Sequence, residues 1–255
     1  MTNFTIAAID LDDTLLRSDG TISPYTLEQL LAWQQGGRKV VIATGRPPRS
    51  IGAALPADLQ TVPWVCYNGA EIHLANQRIY ANHIPTADTQ AIVAQLLAHA
   101  PQSLIGLEID GQLYLNRTAP RSTPYQVADL QTLLQPAAKV LIFSENGTPL
   151  ERLTVDFPAT AQPLYSARYP HFIQILATEC NKAVALRHLV ESWGATLADV
   201  VAFGDDTNDV EMVALSGRGV AVANAVEEVK TVADYITGSN NDDGVAAVLH
   251  ALLAN

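Results

Sequence analysis

Two apolar runs near opposite ends of the chain, residues 4–9 (FTIAAI) and 200–203 (VVAF), each lead straight into clustered acids. Asp10, Asp12 and Asp13 follow the first; Asp205, Asp206 and Asp209, within GDDTND, follow the second. Neither run alternates apolar with polar residues, which suits strands of a parallel sheet covered on both faces. Like charges repel, and carboxylates resist loss of water. Each cluster is therefore either a solvated turn or the seat of something cationic.

The segments between these landmarks keep one rhythm. Ser23-Pro24 reads as a helix cap with proline in the first turn, and Leu27, Leu30 and Leu31 carry the helix to Gly36-Gly37. Residues 39–43 (KVVIA) form a second strand ending at Thr44-Gly45-Arg46, a helix is expected after Pro48, and a third strand spans 64–67 before Asn68-Gly69. Such alternation argues for an α/β fold, a Rossmann-like parallel sheet with helices on both faces. Ligands of these sheets bind beyond the carboxyl ends of the strands. Asp10, Thr44 and Asn68 all stand at such ends.

Residues 82–180 read differently. A helical stretch over 87–98 precedes two strands, 104–109 and 112–116, around the turn pair Asp110-Gly111. A helix near 124–134 and strands at 139–143, 163–168 and 172–177 complete an α+β pattern. After Asn181 the first rhythm returns: a helix over 182–193 ended by Gly194, a strand over 199–203, a helix, a strand (GVAVA) and two further helices. The chain is thus expected to be one core, 1–81 with 181–255, interrupted by an inserted α+β domain, 82–180.

Composition excludes several roles. With 15 Lys and Arg against 26 Asp and Glu, the net charge is −11, so a nucleic-acid partner is not expected. No apolar run approaches the roughly 18 residues of a membrane span and no basic segment precedes an apolar one at the start, so no membrane partner is expected and a soluble cytoplasmic protein is. The two cysteines, Cys66 and Cys180, fit no metal spacing and read as reduced apolar filler. The six histidines are scattered, and Trp33, Trp64 and Trp193 sit in packing contexts.

Helix capping accounts for one or two acids of GDDTND but not for all. Gathering both clusters around one hard cation removes the repulsion, and an oxygen-only ligand set points to Mg²⁺. A phosphoryl group on such a site needs donors for its other oxygens. Thr44 offers a hydroxyl and Lys182 a charge near a helix start, although alone the first reads equally as a cap and the second as a surface lysine. Asp10 and Asp12, two apart, are placed to share one side, with Leu11 toward the core.

Asp10-Leu11-Asp12-Asp13-Thr14, Thr44-Gly45-Arg46, Lys182 and Gly204-Asp205-Asp206-Thr207-Asn208-Asp209 resemble, in order, the four motifs of the haloacid dehalogenase superfamily of phosphatases. The insert resembles a type C2 cap that sets substrate specificity. Asn224-Ala225, Ala233-Asp234-Tyr235 and Asp243-Gly244-Val245-Ala246 resemble the Cof-type sugar-phosphatase branch.

That resemblance implies a Mg²⁺-dependent phosphatase of small phosphorylated metabolites, with Asp10 as nucleophile and Asp12 as general acid and base. Thr44 and Lys182 would hold phosphoryl oxygens. The metal would take Asp10, the backbone carbonyl of Asp12, and Asp205, with Asn208 and Asp209 completing or supporting the shell. Arg46, Asn68 and Asn224 would lie near the substrate edge, and Tyr169 and His171 are candidates on the insert.

Departures are Asp13, Ala183 and Ala223, each where many relatives carry glycine; none removes a functional group. The same motifs would serve a phosphomutase. A phospho-acceptor signalling domain is disfavoured by the Asp10/Asp12 pair, the insert and GDDTND.

Overall fold

The computed structural model describes residues 4–75, 77–121, 123–144, 156–166 and 170–254. The chain divides into two compact units: Met1–Tyr80 with Asn181–Asn255, and Ala81–Cys180.

The first unit is built on eight strands. Strands β1 (Ile6–Ile9), β2 (Lys39–Ala43) and β3 (Trp64–Cys66) come from the N-terminal part, with the pair β4 (Glu71–Leu74) and β5 (Gln77–Ala81) behind them. The later β12 (Val200–Gly204), β13 (Arg218–Ala221) and β14 (Tyr235–Ile236) complete the order β14-β13-β12-β1-β2-β3-β4-β5. Pairing is parallel from β14 to β3 and antiparallel from β3 to β4. Every residue of β1 is buried, as its unalternating sequence demands of a strand covered on both faces. One face packs Ile6, Ala8 and Val41 against Leu186 and Leu189 of α4 (Lys182–Glu191) and Met212 of α5 (Val210–Leu215). Helices α1 (Pro24–Gln35) and α7 (Gly244–Leu253) pack on each other, and α1 also on β2. Ser23 caps α1, its hydroxyl accepting from Thr26 N at 3.0 Å. Cys66 and Cys180 are free and buried.

Register decides where the acids emerge. Ile9 lies level with Ile42 on one side and Phe203 on the other. Asp10, Thr44 and Asp205 therefore leave the sheet along one edge, within a residue or two of the same level.

Several expectations shift here. The helix after Pro48 is a single turn, α2 (Pro48–Ile51). The third strand stops at Cys66, because Tyr67, Asn68 and Gly69 all take left-handed angles (φ 53°, 58° and 102°) and turn the chain. Strand β4 and its neighbour β5 carry no clear sequence signal, since β5 is almost wholly exposed.

The second unit carries a six-stranded sheet ordered β10-β11-β9-β6-β7-β8. Its strands are β6 (Leu104–Ile109), β7 (Gln112–Leu115), β8 (Gln126–Val127), β9 (Lys139–Phe143), β10 (Ala161–Tyr165) and β11 (Phe172–Ala177). All pairs are antiparallel except β7 with β8. Asp110 (φ 47°) and Gly111 (φ 75°) make the tight β6–β7 turn that their sequence announces. Helix α3 (Thr86–His99) buries Ile92, Val93 and Leu96.

The helix expected near 124–134 is absent. That stretch forms β8 and one short turn at Leu130–Thr132, started by Asp129, whose side chain accepts from Gln131 N. Leu130 is buried but Leu134 is 70% exposed, so a helix there has no apolar face to bury. The amide of Gln90 holds the segment instead, donating to Leu130 O and Leu133 O. The strand expected over 163–168 ends at Tyr165; Arg168 and Tyr169 lie outside the described residues.

Candidate active site

Asp10 leaves β1 in extended conformation. Beyond it the alternation expected of a strand fails. Leu15 N bonds Asp10 O (3.2 Å) and Leu16 N bonds Leu11 O (2.8 Å), a wide turn with five-residue spacing, a form frequent at functional sites. Asp13 sits inside the turn at φ 57°. That is the left-handed region glycine occupies freely and Asp tolerates, so aspartate can stand where glycine is usual. Leu11 is fully buried, as expected.

This turn separates two carboxylates that the sequence places as neighbours. Asp10 is 5% exposed and meets Lys182 Nζ at 2.5 Å. The Asp12 side chain is 49% exposed and is gripped by Arg46, Nε to Oδ2 at 2.8 Å and Nη2 to Oδ1 at 2.5 Å. Among the described residues, the two accept side-chain hydrogen bonds from different cations.

Lys182 opens α4, behind the cap Asn181, whose side chain accepts from Val184 N at 2.8 Å. It is fully buried and reaches both Asp10 and Asp209, the latter at 2.7 Å. Asp209 is held in turn: its Oδ2 accepts from Asp205 N (3.1 Å) and Asp206 N (3.3 Å). Gly204 permits this, because a Cβ there would fall 2.4 Å from the Asp209 Cβ. Asp10, Asp205 and Asp209 each offer an oxygen within 4.8 Å of the others. No histidine joins them among the described residues.

Burial pushes the Asp10 carboxyl well above the usual carboxylate range; Asp209 and Asp205 push the same way, and Lys182 pulls against them. Burial alone would depress Lys182, but Asp10 and Asp209 together outweigh it and hold the ammonium above its ordinary value. Three buried carboxylates gather beside one buried ammonium, so full ionisation leaves the cluster with an excess of negative charge. A divalent cation offsets that excess, and an all-oxygen donor set suits a hard ion. The residues present fit such an ion.

The other candidates fall around this cluster. Thr44 is buried, its hydroxyl accepting from Arg46 N at 3.1 Å. The Asn208 amide donates to Asn68 Oδ1 at 2.9 Å. Asn68 is carried inward by the left-handed turn, and Gly69 lets that turn press on the Asn181 carbonyl, where a Cβ would lie 2.2 Å away. Asn224 uses both ends of its amide on backbone: it donates to Asp13 O at 2.7 Å and accepts from Asn240 N at 3.0 Å. In this structure it clamps the acidic turn. Arg46, also expected at the substrate edge, is bound to Asp12. His171 is partly buried in the second unit.

Thr14 is a site residue to which sequence reasoning assigned no role. It is 1% exposed and donates to Asp205 Oδ1 at 3.0 Å. The signal was a hydroxyl beside an apolar Leu-Leu pair, since a buried hydroxyl needs a partner.

The description of one protein family, haloacid dehalogenase-like hydrolase, matches this sequence over residues 7–249. The chain belongs to that family. Among similar proteins, 5-amino-6-(5-phospho-D-ribitylamino)uracil phosphatase YitU of Bacillus subtilis is 30% identical over 96% of this chain and 96% of its own length. The pyridoxal phosphate phosphatase YbhA of Escherichia coli is 27% identical over 97% of this chain and 98% of its own. A solved structure from Streptococcus mutans has the same fold, with a TM-score of 0.86 and 24% identity over 99% of this chain and 100% of that one.

Proposed function

We propose that this hydrolase is a Mg²⁺-dependent phosphatase of small phosphorylated metabolites, sugar phosphates foremost, working through an aspartyl-phosphate. The observation that carries the reading is the buried cluster of Asp10, Asp205 and Asp209 around Lys182 at the carboxyl edge of the sheet.

An Asp10 oxygen attacks phosphorus in line, and the bond to the leaving oxygen breaks as Asp12 supplies that oxygen's proton. Asp12 then takes a proton from water, whose oxygen attacks the aspartyl-phosphate, freeing inorganic phosphate and Asp10. Lys182 favours the ionised form of Asp10 against the effect of burial and lowers its repulsion toward a phosphate dianion. The Thr44 hydroxyl accepts from Arg46 N and so keeps its own proton to donate to a phosphoryl oxygen. Oxygens of Asp10, Asp205 and Asp209, with the Asp12 carbonyl, would hold the metal. When bound, it supplies positive charge shared between the carboxylates and the phosphoryl oxygens.

The residues that choose the leaving group are assigned to the inserted unit, 82–180, as a specificity cap. Phosphorylated cofactors and their precursors, the substrates in two relatives' names, form the next class to screen. A cytoplasmic site of action suits such substrates.

Hydrolysis of p-nitrophenyl phosphate is expected to stop in EDTA and return with Mg²⁺. Undiminished turnover in metal-free buffer refutes the metal assignment.

A further inference from the structure

Asp12 is half exposed, and among the described residues its carboxylate has one side-chain partner, Arg46. An exposed carboxylate on two free torsions samples several orientations. A guanidinium fork bonded to both oxygens fixes its plane as well as its position.

Arg46 is itself anchored at several points. Its N–H donates to Thr44 Oγ1 (3.1 Å), its carbonyl accepts from Tyr67 N (3.0 Å), and its Nη1 reaches Ser50 O (3.5 Å). The geometry of the Thr44 loop and of the left-handed turn after β3 is thereby handed on to Asp12. Lys182 serves charge differently, with single contacts to two carboxylates. Balancing charge needs no fork; orienting a carboxylate does.

We infer that Arg46 is a positioning residue for proton transfer: it holds the Asp12 carboxylate in the orientation from which Asp12 serves the leaving oxygen, and does not itself bind substrate. The inference rests on the reading of Asp12 as proton carrier, and the test separates the two.

Two shape-matched probes differ in how much the leaving oxygen needs a proton: p-nitrophenyl phosphate little, phenyl phosphate much. Arg46→Ala is expected to lower kcat on phenyl phosphate about 100-fold and on p-nitrophenyl phosphate less than about tenfold. KM should stay within about twofold on both, since ground-state binding is untouched. Arg46→Lys keeps the charge but not the fork and should retain most of the defect. Asp12→Asn should show the same leaving-group pattern, and adding Arg46→Ala to it should cost nothing further, because the two act as one unit. The Arg46–Asp12 pair is too exposed for its loss to unfold the protein, and matched unfolding temperatures check this.

Equal loss on both probes, or a raised KM with unchanged kcat, would mean that Arg46 contacts substrate or merely supports the fold, and overturns the inference. A leaving-group effect in Asp12→Asn but not in Arg46→Ala sinks the inference alone. No leaving-group effect in Asp12→Asn sinks the proton-carrier reading and the inference with it.

Discussion

Two clusters of buried charge, one in each unit, are built in opposite ways. In the inserted unit, Glu108 on β6 and Lys139 on β9 are both buried and lie opposite each other in register, one negative against one positive, with Gln174 accepting from Lys139 Nζ. In the first unit, Asp10 and Asp209 both bond Lys182, and Asp205 offers a third carboxylate oxygen within 4.8 Å of theirs. The arrangement in the inserted unit sets negative charge beside positive, with Arg121 also acting on Glu108. The other carries an excess of negative charge, which in a buried setting is costly unless a ligand offsets it. The same comparison holds for the sheets. Parallel strands buried on both faces bring their carboxyl ends to one edge; the mostly antiparallel sheet sends its strand ends both ways.

The sharpest way to break this contrast is at the uncompensated cluster. Asp10→Asn is expected to lower turnover at least about 10⁴-fold, the scale seen when one member of a catalytic unit is removed. Removing one charge from an over-acidic site should leave the metal-free unfolding temperature unchanged or higher. Residual hydrolysis near wild type, or a lowered unfolding temperature, would show that Asp10 is structural.

A core truncation in the other unit should separate stability from chemistry. Ile142 on β9 is fully buried, and Ile142→Ala should cost about 2–5 kcal/mol in denaturant unfolding. The folded variant should keep its kcat on p-nitrophenyl phosphate. A parallel fall in kcat would tie the inserted unit to the chemical step and erase the contrast.

The mildest change probes the support of one carboxylate. Thr14→Val removes the hydroxyl that orients Asp205. Metal affinity should weaken about 10- to 100-fold, as for other groups that orient ligands, seen as a higher Mg²⁺ concentration for half-maximal rate with kcat recovering at saturation. An unchanged Mg²⁺ requirement would remove Asp205 from the proposed shell.

Legibility followed locality. The unalternating runs at β1, β2 and β12 announced a parallel sheet because burial on both faces is a property of each strand by itself. Asp110-Gly111 announced its turn because φ is a local variable. The stretch 124–134 misled because Val127, Leu130 and Leu134 have helical spacing, yet only Leu130 is buried. For Asn224 and Arg46 the sequence did not show what they touch: Asp13 and Asn240 for one, Asp12 for the other. Thr14 went unassigned because its partner lies in the other acidic motif.

Sequence alone determined that two acidic clusters end buried strands and that a differently patterned segment interrupts the core, since periodicity and turn chemistry are written within a few residues. Tertiary structure alone decided which cation each carboxylate meets. Asp10 and Asp12 look alike on paper, but one pairs with a lysine 172 residues on and the other with an arginine 34 residues on. A polar group's partner is set by which strands lie level in the sheet and how the chain turns off them, and neither is local.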